Sequence, residues 1–200
     1  MKDDELLKIF QSAKFYSSFS AIANVPESHL PHVVFLGRSN SGKSSLINAL
    51  TNQKNLVKVS KTPGKTRLLN FFACENYFYL VDVPGFGYSK ASHREHSEMM
   101  KLLDEYLNTN TSIRSIYMLL DAQRTIPDEE YSMLQTAKLK KINTTLVRTK
   151  VDRLNQKEWS ILKKDMKTFG HQVAYTSTIE GLGIMELRRS VLESVKGSSE

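Results

Sequence analysis

Apolar positions along the chain follow two rhythms that take turns. Continuous apolar runs, Val33-Val34-Phe35-Leu36 and Ile116-Tyr117-Met118-Leu119-Leu120, predict strands buried on both faces, as in a parallel sheet. Between such runs, apolar residues recur three or four apart, as at Ile184, Leu187, Val191 and Val195, and predict helices with one face on a core. In chain order the pattern predicts a short amphipathic helix over residues 1–13, an edge strand at 14–20, a central strand at 32–36, a helix from 44 to about 52 and a long polar loop at 53–65. Strands at 67–74 and 77–82, joined by Glu75-Asn76, predict an antiparallel hairpin. A helix at 92–107, a strand at 113–122 and a helix from Pro127 to about 141, with Tyr131, Leu134 and Ala137 on one face, come next. A strand at 144–147 precedes a helix opened by the capping box of Asn155 and Glu158 and stopped at Gly170; a strand at 172–175 and a helix at 183–195 complete the chain.

Strands alternating with helices imply an α/β fold: one mostly parallel six-stranded sheet with one antiparallel strand, helices on both faces, and ligands outside the carboxyl ends of the strands. Residues 14–195 read as a single domain, 1–13 as an N-terminal helical arm and 196–200 as a disordered tail. Composition adds little to the fold but narrows the setting. The 200 residues hold no apolar stretch near the roughly 18 residues that a membrane span needs. The opening Met1-Lys2-Asp3-Asp4-Glu5 is acidic where a signal peptide would be basic, so a cytoplasmic protein with no membrane partner is expected. Cys74 is the only cysteine, which rules out an internal disulfide and a Cys-based zinc site. A net charge of +7 favours polyanionic partners, nucleic acid above all, and serves solubility equally well.

Candidate chemistry concentrates at one place. Gly37-Arg38-Ser39-Asn40-Ser41-Gly42-Lys43-Ser44 fits G-x-x-x-x-G-K-[ST] between a strand and a helix, the setting of a phosphate-binding loop. Its glycines allow the tight turn that points backbone N–H groups inward, Lys43 reaches the β and γ phosphates, and Ser44 offers a hydroxyl to Mg²⁺. The next need is a base. In Thr149-Lys150-Val151-Asp152 the carboxylate can accept two hydrogen bonds from guanine N1–H and its amino group, whereas adenine offers no matching pair. The stem of Lys150 can lie along the base, and Thr176-Ser177-Thr178 ends the following strand where N–H groups can meet guanine O6. Asp82-Val83-Pro84-Gly85 supplies an acid for water-mediated Mg²⁺ binding and a Gly85 N–H for the γ phosphate; within Gly64-Lys65-Thr66-Arg67-Leu68, Thr66 is the second hydroxyl ligand. Metal candidates are thus Ser44, Thr66 and Asp82.

These pieces, in this order, resemble the GTPase superfamily of translation factors and relatives. The segments Lys61-Thr62-Pro63-Gly64-Lys65-Thr66, Asn70-Phe71-Phe72 and Asp82-Val83-Pro84-Gly85-Phe86-Gly87-Tyr88 narrow the match, and the chain resembles the EngB (YihA/YsxC) group of bacterial GTPases, in the TrmE-Era-EngA-EngB-septin-like superfamily, over roughly residues 14–195. The resemblance implies a three-layer P-loop GTPase domain that binds GTP or GDP with Mg²⁺, assists late assembly of the large (50S) ribosomal subunit, is linked to cell division and septation, and is a monomer. Two departures stand out: Thr149 replaces the superfamily's usual Asn, suggesting modest nucleotide affinity, and Thr176-Ser177-Thr178 replaces Ser-Ala-Lys. Ras-type enzymes place a water-orienting Gln directly after D-x-x-G, where this chain has Phe86, so unassisted turnover no faster than about 10⁻³ per second is expected. Assistance could come from a ribosomal component or from K⁺, since Asn40 matches the position at which potassium-stimulated relatives supply a ligand. Catalytic candidates are therefore Lys43, Thr66, Gly85 and Asn40.

Other features carry less. Lys54, Lys58, Lys61, Lys65 and Arg67 in the long loop could meet ribosomal RNA in the GTP state or simply be solvated. His93 and His96 beside Glu95 lack a third metal ligand and read as surface residues; Tyr88 is a contact or packing residue. An ATP-using P-loop enzyme and an RNA-binding scaffold with little hydrolysis stay open as alternatives.

Overall fold

The computed structural model of the chain describes residues 1–25, 30–57, 68–86 and 93–196, with only the backbone of 93–96. The strands are β1 (Lys14–Phe19), β2 (His32–Gly37), β3 (Leu69–Cys74), β4 (Phe78–Asp82), β5 (Ile113–Asp121), β6 (Asn143–Thr149) and β7 (Gln172–Thr176). The helices are α1 (Asp3–Gln11), α2 (Lys43–Thr51), α3 (His93–Thr109), α4 (Asp128–Leu139), α5 (Gln156–Lys167) and α6 (Ile184–Lys196).

One seven-stranded sheet runs in the order β1-β3-β4-β2-β5-β6-β7. Only β3 opposes the rest, because it pairs antiparallel with both β1 and β4 while the other neighbours are parallel. The six strands expected become seven because the edge strand joins the same sheet, with a register shift between Phe15 and Ser17. Every residue of β2 is buried, as its unbroken apolar run requires, and alternate side chains serve opposite layers. Val33 and Phe35 pack with Leu6, Ile9 and Phe10 of α1, Leu46, Ile47 and Leu50 of α2, and Leu187 and Val191 of α6. Val34 and Leu36 face the other layer, with Leu103 and Tyr106 of α3 and Leu134 and Ala137 of α4. α5 lies farther out on that second layer, where Leu162 packs with Ala122 and Val151. Each fully buried side chain of this size is worth roughly 1.5–3 kcal/mol relative to exposure, so both layers hold β2 in place.

Local signals were obeyed in most elements. Asn155 Oδ1 accepts from the Glu158 N–H at 3.0 Å and the Glu158 carboxylate accepts from the Asn155 N–H at 2.9 Å, the reciprocal capping box that starts α5. Tyr131 departs from its expected face: it is 45% exposed and leans on Phe169 at 6.0 Å, leaving the inner face of α4 to Glu130, Leu134 and Ala137. α1 packs on α2 and α6, and Gln53 fastens its end by donating to Gln11 O and Ala13 O. Arg188 of α6 is buried and donates to Leu50 O at 2.7 Å and Ala49 O at 2.8 Å, satisfying carbonyls that end α2. At the far end of β2, His32 sits among Phe71, Tyr79 and Tyr106, with Nδ1 2.9 Å from the Tyr106 hydroxyl. Among the described residues no helix is long and apolar enough to cross a membrane.

Candidate functional site

β2 delivers the chain into the loop at Gly37, and α2 begins at Lys43. Gly42 caps α2 with φ +94°, a left-handed conformation that a side chain would strain, and Asn40 adopts φ 65° with its side chain exposed. Lys43 Nζ meets Asp82 Oδ1 at the end of β4, so two expected phosphate-site and metal-site residues share one corner. Ser44 stands in the first turn of α2 beside them. The Ser44 hydroxyl and the Asp82 carboxylate are hard oxygen donors of the kind Mg²⁺ takes.

The D-x-x-G segment lies directly on the loop. A Cβ on Gly85 would come within 3.0 Å of Ser39 N, so glycine permits this approach. The Ser39 N–H donates to Phe86 O at 3.1 Å, and Arg38 and Phe86 form a parallel bridge that extends the β2–β4 ladder. The Phe86 ring is fully buried in the α3–α4 layer, and Val83 is buried there too. Both side chains therefore pack the core, and neither points at a reacting phosphate.

Base-side residues are tied to the same loop. Thr149 at the end of β6 is buried, and its hydroxyl donates to Ser41 O at 2.6 Å. A hydroxyl thus reaches the loop from the position where the superfamily usually has Asn. Lys150, at φ 58°, donates to Asn40 O at 2.7 Å and to Asp121 Oδ2 at 2.9 Å. Asp121 ends β5; burial pushes its carboxyl up, but the bonds from Lys150 and the Gln123 N–H and the charges of Lys150 and Arg153 outweigh this and hold its pKa below the usual carboxylate value. Val151 is buried in the α5 cluster, so only its backbone can face a ligand. Gly42, Thr149, Lys150, Asp152, Thr176 and Thr178 line a cavity of about 220 Å³. The Thr176 hydroxyl is buried without a hydrogen-bond partner and borders this cavity. Ser177 turns away: it is fully buried and its Oγ accepts from the Glu180 N–H.

Arg38 takes a different part from its neighbours. Its guanidinium reaches α4, donating to Glu130 Oε1 at 2.6 Å and Glu129 Oε2 at 3.0 Å, so its side chain is committed away from the cavity and only its backbone remains for phosphate. Gly64, Lys65, Thr66 and Arg67 lie outside the described residues, as do Lys58, Lys61 and Tyr88 and the side chains of His93, Glu95 and His96. Leu68 is described and half-buried just before β3. Sequence reasoning missed Asp121, Glu129, Glu130, Ser45, Arg153 and Ile179, the last three of which also line the cavity. Asp121 carried a signal: an acid closing a buried apolar run at the carboxyl edge of the sheet.

Comparison with known proteins agrees with this geometry. Residues 32–150 match the family described as 50S ribosome-binding GTPase. The chain is 43% identical over 193 residues to the probable GTP-binding protein EngB of Leptospira biflexa, covering 93% of this chain and 91% of that one. It is 40% identical over 190 residues to the probable GTP-binding protein EngB of Clostridium kluyveri, covering 92% and 96%. Among solved structures, a probable GTP-binding protein EngB superposes with a TM-score of 0.66 at 22% identity, covering 83% of this chain and 99% of that one. Era of Aquifex aeolicus bound to GDP and aluminium fluoride gives 0.65 at 22% identity, covering 83% and 57%; both likenesses speak to fold. A phosphate loop braced from β6 and bounded by Asp82 and Asp152, on a P-loop GTPase sheet, in a chain this similar to EngB proteins over nearly its whole length, places it in the EngB family of GTP-binding GTPases.

Proposed function

We propose that the chain is a guanine-nucleotide switch with slow intrinsic hydrolysis, acting through a precursor of the large ribosomal subunit, and required for normal cell division and septation. The observation that carries the nucleotide part is the double brace from Thr149 and Lys150 to the phosphate loop around the cavity that Asp152 lines. Asp152 reads guanine by accepting from N1–H and the amino group, with Thr176 and Thr178 beside the base. Lys43, with the loop N–H groups of Gly37, Arg38, Ser39, Asn40, Ser41 and Gly42, holds the phosphates. Ser44, Asp82 and Thr66 would hold Mg²⁺, whose bound charge offsets that of the β and γ oxygens. The Gly85 N–H faces the γ phosphate, and Gly64, Lys65, Thr66, Arg67 and Leu68 contribute to nucleotide binding. The residue directly after D-x-x-G, Phe86, has its ring in the core and cannot orient water, which supports a slow unassisted rate. The exposed Asn40 side chain is the proposed K⁺ ligand, a cation placed to act as an arginine finger does.

The ribosomal part is supported by the family's description as ribosome-binding and by the net charge of +7. The protein acts as a cytoplasmic monomer with one G domain over residues 14–195. Co-sedimentation with 50S precursor particles tests the reading: binding with a GTP analogue and release with GDP is expected, and equal behaviour in both states would exclude a switch. Hydrolysis measured in K⁺ and in Na⁺ at equal ionic strength tests Asn40, with faster turnover in K⁺ expected.

A further inference from the structure

The end of the sheet opposite the nucleotide cavity carries positive charge that the site does not use. β5, β6 and β7 are parallel, so α4 and α5, which connect them, both run back against the strands and end where β6 and β7 begin. The two helix ends are knit together. Lys138 Nζ donates to Gly170 O at 3.3 Å and Gln135 Nε2 lies 3.3 Å from His171 Nε2, while Tyr131, in the first turn of α4, packs on Phe169. Residues 135–143 and 160–171 contain six lysines and a single acid, Asp165. Lys163 lies over the Trp159 ring, whereas Lys138, Lys140, Lys141, Lys164 and Lys167 are exposed. Among the described residues none of these five is in ion-pair contact with a carboxylate. The field reaches inward: burial first, and the charge of Lys138 second, hold the His171 imidazole below its ordinary pKa.

A lysine in the last helical turn answers the helix dipole, and that accounts for Lys138 and Lys167. It does not account for Lys140 and Lys141, which lie past the last residue of α4, or for the convergence of two such ends with one acid between them. Clustered like charges cost stability unless a polyanion neutralises them. We propose that this face, centred on Lys140, Lys141 and Lys167, binds the phosphate backbone of RNA. The inference rests on the ribosomal reading for its RNA, and it adds a contact independent of the nucleotide state. Several cations spread over two helix ends suit a run of phosphates better than one small anion, and among the described residues no base-reading element accompanies them, so the contact positions without specifying sequence.

The test uses the full chain and a variant carrying Lys140→Glu, Lys141→Glu and Lys167→Glu, with a matching Lys→Gln variant to separate lost attraction from added repulsion. Affinity for free large-subunit ribosomal RNA and for 50S precursor particles is measured across a KCl series with a GTP analogue and with GDP. The expected result is at least a tenfold loss of RNA affinity for the Glu variant in both nucleotide states, and a smaller loss for the Gln variant. The slope of log K against log [KCl] should flatten by about 2–3, from roughly 0.7–0.9 per phosphate contact, with GDP affinity unchanged. Unchanged RNA affinity and slope would overturn the inference. Loss on particles but not on free RNA would also overturn it, by assigning the face to an acidic protein. A wild-type chain that binds neither RNA nor particles would sink the ribosomal reading itself, an outcome separate from either variant result.

Discussion

The proposed base side, at the end of β6, and the proposed hydrolytic side, after β4, meet the same phosphate loop in different ways. On the base side, side chains reach across from β6: the Thr149 hydroxyl holds Ser41 O and the Lys150 ammonium holds Asn40 O, itself anchored by Asp121. On the hydrolytic side, Phe86 meets the loop only through its backbone, with its ring in the core, and the closest approach is Gly85 on Ser39. Polar side-chain bonds over long sequence separation fix the position of the loop relative to β6. A backbone contact beside a buried ring fixes the segment without offering a proton acceptor or donor to water. On the proposed reading, nucleotide recognition rests on side chains reaching the loop from β6, and hydrolysis is completed by a group other than Phe86.

The comparison breaks first at Phe86. Phe86→Ala should destabilise the fold by about 3–5 kcal/mol through the cavity left in the α3–α4 layer, measured by denaturant unfolding, while hydrolysis per folded molecule stays unchanged. A selective loss of turnover in the folded fraction would put the ring in the machinery after all.

Acid probes the scaffold common to both sides, because His32 stands at the opposite end of the strand that feeds the loop. Burial first, and the charge of Arg114 second, lower its pKa from 6.5 to about 4. Between these values the unfolded chain binds a proton that the folded chain does not, so the stability present above pH 6.5 is lost as pH falls toward 4. The loss is on the order of 3 kcal/mol over the whole window. Melting temperature should fall more steeply from pH 7 to pH 5 in the wild type than in His32→Leu; parallel slopes would show that another group governs the acid response.

Thr149→Val is the smaller and sharper test of the base side. It keeps shape but leaves Ser41 O without its donor, costing about 1–2 kcal/mol, so that the melting temperature falls by a few degrees and GDP release becomes faster, up to roughly tenfold. Equal release rates would mean that the brace does not hold the bound state.

Much of this was legible in the chain itself, for definable reasons. The run at Val33 to Leu36 followed by the glycine-rich loop announces β2 and α2 because strand burial, turn and helix start are all local. The Asn155–Glu158 box spans four residues and was equally plain. Arg38 and Glu130 lie 92 positions apart, and nothing local distinguishes an arginine that will point at α4 from one that lines a phosphate. The same holds for Asp121, 29 residues from its Lys150 partner. Tyr131 satisfied a helical period yet lay just off the buried arc, because Glu130, drawn in by Arg38, occupies that position. The seventh strand was visible as an edge segment, but its pairing with β3 is a long-range choice that alternation alone does not fix.

The central claim, that the cavity beneath the Thr149–Lys150 brace is a guanine site read by Asp152, is tested most directly by measuring GTP and XTP affinities for the wild type and for Asp152→Asn. The account predicts that the variant loses GTP by a factor on the order of 100 or more and comes to prefer XTP, as a site built around a hydrogen-bond pair should. A variant that binds GTP as the wild type does, with no gain for XTP, would contradict it.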